Sequence, residues 1–176
     1  MQKKGITFLI IAIILLCGIG LMLPNTDSKT EYLRMHVRAN SNEQIDQSVK
    51  LVVRDAVVEY LTPFIAECNT FEKAKTLLTD RLSSIKQVAD NALKKNGFNY
   101  ESRVGVKNEN FPTRFYGDLE LEQGYYDALI IELGEGKGNN WWCVVYPPLC
   151  FTGQGQNYQI RSKILDIIRN FFDKEN

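Results

Sequence analysis

The chain opens on an apolar segment and then passes into amphipathic patterns of two different periods. From Ile6 to Leu23 runs an 18-residue stretch in which only Thr7 is polar, preceded by Lys3 and Lys4. As a helix it would span roughly 27 Å at ~1.5 Å per residue, just short of the ~30 Å hydrocarbon layer. Lysines ahead of the run predict a cytoplasmic N-terminus and export of the rest of the chain. Gly18 and Gly20 fit cleavage after Gly20, which would make a signal peptidase a partner. Residues 1–23 are therefore expected to be a signal peptide or an N-terminal membrane anchor, 24–30 a linker, and 31–176 a single exported domain.

Residues 31–39 alternate, with Leu33, Met35 and Val37 on one side and Arg34, His36 and Arg38 on the other. That predicts a half-buried strand with a cationic face. Ser41 and Gln44 are spaced as a capping box for a helix whose apolar arc holds Ile45, Val49, Val52, Val53, Ala56, Val57 and Tyr60. Asp46 falls at the edge of that arc, so Lys50 or a strand arginine is expected to pair with it. Leu51 and Val58 form a second stripe that needs another helix or a partner. Pro63 is expected to end the pattern. A second helix follows Asn69–Thr70, carrying Phe71, Ala74, Leu78, Leu82, Ile85, Ala89 and Ala92, with a bend at Ser83–Ser84 and a stop at Gly97. Strands are expected near 98–106, 114–121, 125–133 and 140–146, the third apolar on both faces and so central. Gly134–Asn140 reads as a hairpin-type connection, and residues 160–172 as an amphipathic helix. The order, one strand and two helices before an antiparallel-rich sheet and a last helix, is that of an α+β domain.

Composition narrows the chemistry. The 176 residues are 44% apolar, with 21 basic and 21 acidic side chains, which suits a folded domain and supplies no basic excess for nucleic acid. His36 is the single histidine, so a multi-histidine metal site is excluded. Zinc held by cysteines alone needs four, and Cys68, Cys143 and Cys150 are the three outside the apolar segment. Arg34 and Arg38 beside His36 disfavour its protonated form and make it a poor base for a serine or cysteine nucleophile. The Gly134–Gly138 run leads into a strand rather than a helix, which argues against a phosphate cradle. No metal, cofactor or small-molecule substrate is expected. Asn139–Phe151 gathers both tryptophans, two cysteines and two prolines. It reads either as a rigid core corner or as a preorganised aromatic recognition surface, with Trp141 and Trp142 facing opposite ways. Pro147–Pro148 is expected to impose an extended path, and Cys143 and Cys150 stand as a possible disulfide or as two buried thiols.

Two blocks of residues resemble the stage II sporulation protein R family. The first is Leu33–Ser41 with Asp46, Gln47, Lys50 and Val53–Val57; the second runs from Phe111-Pro112-Thr113-Arg114 through Tyr116-Gly117, Gly124-Tyr125, Ala128-Leu129 and Gly134-Glu135-Gly136 to Asn140–Phe151. Asn42 and Glu122-Gln123 depart from the family pattern, and the resemblance stops at Phe151. It implies a non-enzymatic sporulation signal, exported from the forespore into the space between the two sporulation membranes. There it would activate the mother-cell membrane aspartic protease that processes pro-sigma-E. On that reading Arg34, Arg38 and Arg114 are candidate charged contacts and Trp141 or Trp142 an anchor. The resemblance also marks Asn40, Arg54, Asp55, Tyr116, Asn140, Pro147 and Pro148 as contact or scaffold. A rival expectation is an exported module binding the cell envelope, such as peptidoglycan.

Overall fold

The computed structural model describes residues 31–152 and 158–173, and the side chains of 163–173 within the last segment. The expected signal peptide or anchor, 1–23, and linker, 24–30, lie outside the described residues. Among the described residues no helix is long and apolar enough to cross a membrane.

The fold is α+β. Strand β1 (Leu33–Arg38) is followed by helices α1 (Gln44–Ile65), α2 (Phe71–Asp80) and α3 (Leu82–Lys95). Then come β2 (Ser102–Phe111), the short β3 (Arg114–Tyr116) and β4 (Leu119–Leu121), β5 (Gly124–Leu133), β6 (Asn140–Tyr146), a 3₁₀ turn (Leu149–Phe151) and α4 (Tyr158–Phe172). The main sheet has the order β2-β5-β1-β6, while β3 and β4 pair only with each other. β1 runs parallel to β5 and antiparallel to β6, and β2 is antiparallel to β5.

The helices cover one face of this sheet. Leu33, Met35 and Val37 of β1 and Leu129 and Ile131 of β5 meet Val53 and Val57 of α1 and Ile85 of α3 in one core. The second stripe of α1 divides: Val58 packs against this core, whereas Leu51 is exposed. Gly97, at φ +82°, ends α3 as expected.

Several expectations are corrected. β1 is not half-buried: it is an inner strand, and Arg34 and His36 are as buried as Leu33. Three helices, not two, separate β1 from β2. The break falls at Arg81 rather than Ser83–Ser84, where the guanidinium stacks on Phe64 at 3.6 Å and bonds the Tyr60 hydroxyl. Pro63 lies inside the last turn of α1, which continues to Ile65; a proline so near the end removes a single backbone bond. Ser41 does not form a capping box with Gln44. Its hydroxyl accepts from the Glu43 N–H and donates to Asp46.

α1 is rotated by roughly 85° from the expected arc, on 100° per residue. Asp46 and Lys50 therefore face inward, and Ile45 and Val52 outward. Asp46 takes neither Lys50 nor an arginine as partner. It accepts from Asn40 Nδ2 at 2.8 Å, Ser41 Oγ at 2.6 Å and the Tyr100 hydroxyl at 2.6 Å. Three neutral donors satisfy the buried carboxylate. Lys50 instead donates to Gln47 Oε1 and to the Asn139 carbonyl.

Nor is Gly134–Asn140 a hairpin, because β1 lies between the strands it joins. The loop wraps the end of β1: the Glu135 N–H donates to Asn40 Oδ1, Lys137 N–H to the Asn40 carbonyl and Gly138 N–H to the Ala39 carbonyl. That contact explains the glycines. A Cβ at Gly134 would stand 2.3 Å from Asn40 Oδ1, and one at Gly138 2.1 Å from the Ser41 carbonyl oxygen.

Asp46→Ala leaves three donors without their acceptor and should cost roughly 3 kcal/mol. The urea midpoint should fall with the m value unchanged, and an unchanged midpoint would remove Asp46 from the account. Burial raises the Asp46 pKa, but the bonds from Ser41, Tyr100 and Asn40 outweigh it and hold it below the usual range. A lowered folded pKa means this stabilisation is complete above the ordinary carboxylate range and is lost as pH falls through the folded value. Asp46→Asn should flatten stability in that acid window.

Candidate recognition face

The sheet face away from the helices carries the chemistry. Alternation places Arg34, His36 and Arg38 of β1 on it, beside Ala128, Ile130 and Glu132 of β5 and Val144, Trp142 and Asn140 of β6. Phe111, Ala128 and Ile130 form a small second core there, with Tyr126 and Trp142 against it. The β3–β4 hairpin reaches this face through Tyr116.

Each basic residue of β1 meets a different environment. Arg38 is bracketed by acids: Nη1 bonds Glu132 Oε1 at 2.6 Å and Nη2 pairs with Glu109. Burial would raise the Glu132 pKa, but Arg38 and Arg103 lower it on balance. His36 is 1% exposed and stacks on Trp142 with ring centroids 3.7 Å apart. Burial, reinforced by the nearby Arg38 charge, pushes its pKa down to about 4, so the imidazole is neutral. Glu109 approaches His36 Nδ1 at 3.4 Å, but that carboxylate already pairs with Arg38.

Arg34 is 0% exposed and sits among aromatic rings, 4.5 Å from the Phe111 centroid, 4.8 Å from Tyr126 and 5.5 Å from Tyr116. Nη2 donates to the Tyr116 hydroxyl at 2.8 Å. Burial raises the Tyr116 pKa against the opposing arginine charge.

The remaining sequence-predicted residues divide between two faces and the corner. Arg114 is exposed on β3, 5.8 Å from the Trp142 ring. Trp141 turns to the helix side, where Arg54 lies 5.0 Å over its ring and pairs with Asp55. The two tryptophans thus face opposite ways, as expected. Asn40 is the hub at the end of β1, and Asn140 lies exposed opposite Arg38. Pro147 and Pro148 do not extend the strand. They stand in a tight turn, with a cis Tyr146–Pro147 bond and a Leu149 N–H bonded to the Pro147 carbonyl. Cys143 and Cys150 are joined by a disulfide across that turn, and Cys68 is free and buried.

A sequence model of the stage II sporulation protein R family matches residues 29–172, nearly all of the domain. The chain belongs to that family. Stage II sporulation protein R of Bacillus subtilis (strain 168) is 35% identical over 85% of this chain and 72% of its own length. No solved structure matches the chain. A sporulation role follows from the membership. The family match also runs past Phe151 through the whole of α4, where the sequence motifs offered no resemblance.

In this family member the motif arginines are not equivalent. Arg34 is buried under the hairpin and Arg38 is paired with two acids, while Arg114 faces outward. Sequence reasoning missed Glu109, Phe111 and Tyr126 as parts of the face, and also Glu132. Glu132 did carry a signal, as the acid in the otherwise apolar run of Ala128–Leu133. Glu109 and Tyr126 became visible only once β2 and β5 were paired.

A neutral His36 links stability to pH. Its folded pKa, about 4, lies below the unfolded 6.5, so the unfolded chain binds the extra proton and stability falls as pH drops from 6.5 toward 4. Between pH 7 and 5 the loss should be about 2 kcal/mol. His36→Phe, which keeps a ring on Trp142, should remove that slope in urea titrations; an identical slope would mean that His36 is already charged in the fold.

Proposed function

We propose that this chain is the exported trigger of a proteolytic step in sporulation. It leaves the forespore, enters the space between the two sporulation membranes and activates the mother-cell membrane aspartic protease that processes pro-sigma-E. It acts by binding and not as an enzyme. The observation that carries the reading is the family match over residues 29–172. The disulfide Cys143–Cys150 supports export, since such bonds persist in oxidising compartments. The apolar segment 6–23 supplies a route, as a signal peptide or an anchor.

To activate the protease, the chain must bind its active state more tightly than its inactive one. The outward residues of the recognition face are suited to that contact. Arg114 offers a charge on the hairpin, Phe115 is 67% exposed beside it, and half-buried Trp142 lies under Arg114. Trp141, on the helix side with Arg54, and Arg38, held by two acids, fit scaffold roles better. A second reading, envelope binding, draws on the exposed rings of Phe115 and Tyr125, which is 72% exposed. Retention of the secreted protein on purified peptidoglycan would favour it.

The test is pro-sigma-E processing in a non-sporulating host that co-expresses the cognate protease. Processing should require the full chain and be lost when residues 1–23 are deleted. Equal processing by both would refute an extracellular trigger. Arg114→Glu should cut processing at least tenfold with an unchanged circular dichroism spectrum, whereas Arg114→Lys should retain most of it. Full processing by Arg114→Glu would take the hairpin out of the interface.

A further inference from the structure

Arg34 and His36 are the two described residues with buried side-chain nitrogens that lack a hydrogen-bond partner, and of the two Arg34 carries the fixed charge. An arginine stays protonated, and a buried cation is ordinarily matched by a carboxylate. Among the described residues no carboxylate pairs with this one, and its Nε and Nη1 have no acceptor. Its bond runs from Nη2 to a neutral hydroxyl, that of Tyr116. Four residues along the same strand Arg38 holds two acids, so the sheet has carboxylates to offer and sets none at Arg34.

We propose that Arg34 is a concealed carboxylate site, covered by the β3–β4 hairpin and opened when an acidic side chain of a protein partner displaces Tyr116. Nη2 belongs to both two-nitrogen edges of a guanidinium, so one hydroxyl on it obstructs either edge. A carboxylate in the same place would gain a two-point, charge-assisted contact. The cover is suited to lifting. It pairs through Arg114–Leu121, Phe115–Glu120 and Tyr116–Leu119 alone, and no strand of the main sheet bonds to it. Its turn passes through Gly117 at φ +64°. Arg114 on the same hairpin adds a second positive charge at the entrance, which favours an acidic partner over a neutral one. The identification of that partner with the protease rests on the function proposed above; the site itself does not.

The experiment follows the Arg34 Nε–H resonance in the full chain, kept in detergent, as hexaglutamate peptide is added at constant ionic strength. Hexaglutamine peptide is the control. The Arg34 signal should move with hexaglutamate only. Tyr116→Phe, which removes the bond holding the cover, should tighten binding about tenfold, the factor expected for one charge-assisted hydrogen bond. No movement in the parent or in Tyr116→Phe, or equal movement with hexaglutamine, would overturn the proposal. If Tyr116→Phe does not fold, the parent titration decides alone. A shift without any pro-sigma-E processing would remove the proposed function and leave the site standing; processing without a shift would do the reverse.

Discussion

β1 puts three basic residues on one side of an inner strand, and that side is covered. Arg34, His36 and Arg38 sit between β5 and β6, where the first two are shut off from solvent. Desolvating such groups is costly, and the sheet meets the cost in three different ways. Arg38 receives Glu109 and Glu132, His36 gives up its proton and stacks on Trp142, and Arg34 is wrapped in aromatic rings under Tyr116. The acids on β2 and β5, the tryptophan on β6 and the hairpin that carries Tyr116 are all placed by this requirement.

The far end of β1 is fixed by the complementary device. Asn40 receives the loop after β5 and donates to Asp46, while Ser41 and Tyr100 complete the acid's partners. Glycines at 134 and 138 let that loop come close enough to bond. The strand is thereby held at its end by hydrogen bonds through Asn40 and Asp46, and along its outer face by the Arg38 ion pairs and the rings around Arg34 and His36. The helix-side core and the disulfide-closed corner after β6 complete the frame, and a loop-entropy argument assigns that ring about 2.5 kcal/mol. What is left to vary is the hairpin, whose Arg114 and Phe115 face outward.

Local patterns were legible in the sequence, and pairings between distant segments were not. The alternation of 31–39, the doubly apolar strand at 125–133 and the opposed tryptophans depend on period alone, and each is present. The rotation of α1 was hidden because the donors that let Asp46 turn inward come from Asn40, Ser41 and Tyr100, the last 54 residues away. The loop at 134–140 resembled a hairpin because nothing nearby announces that β1 slides between β5 and β6. Arg34, Arg38 and Arg114 looked alike as motif arginines. Their difference is one of burial, which comes from strand order and the folded hairpin.

Under the proposed function, the sheet's outer face, beneath and around the hairpin, is where this family member would meet its partner. Hydrogen exchange of the full chain, with and without the detergent-solubilised protease, tests it most directly. Exchange should change along Asn108–Gly124 and at Asn140–Trp142, while α1, α2 and α3 exchange as before. Protection confined to the helices, around Ile45 and Val52, with the hairpin unchanged, would contradict it.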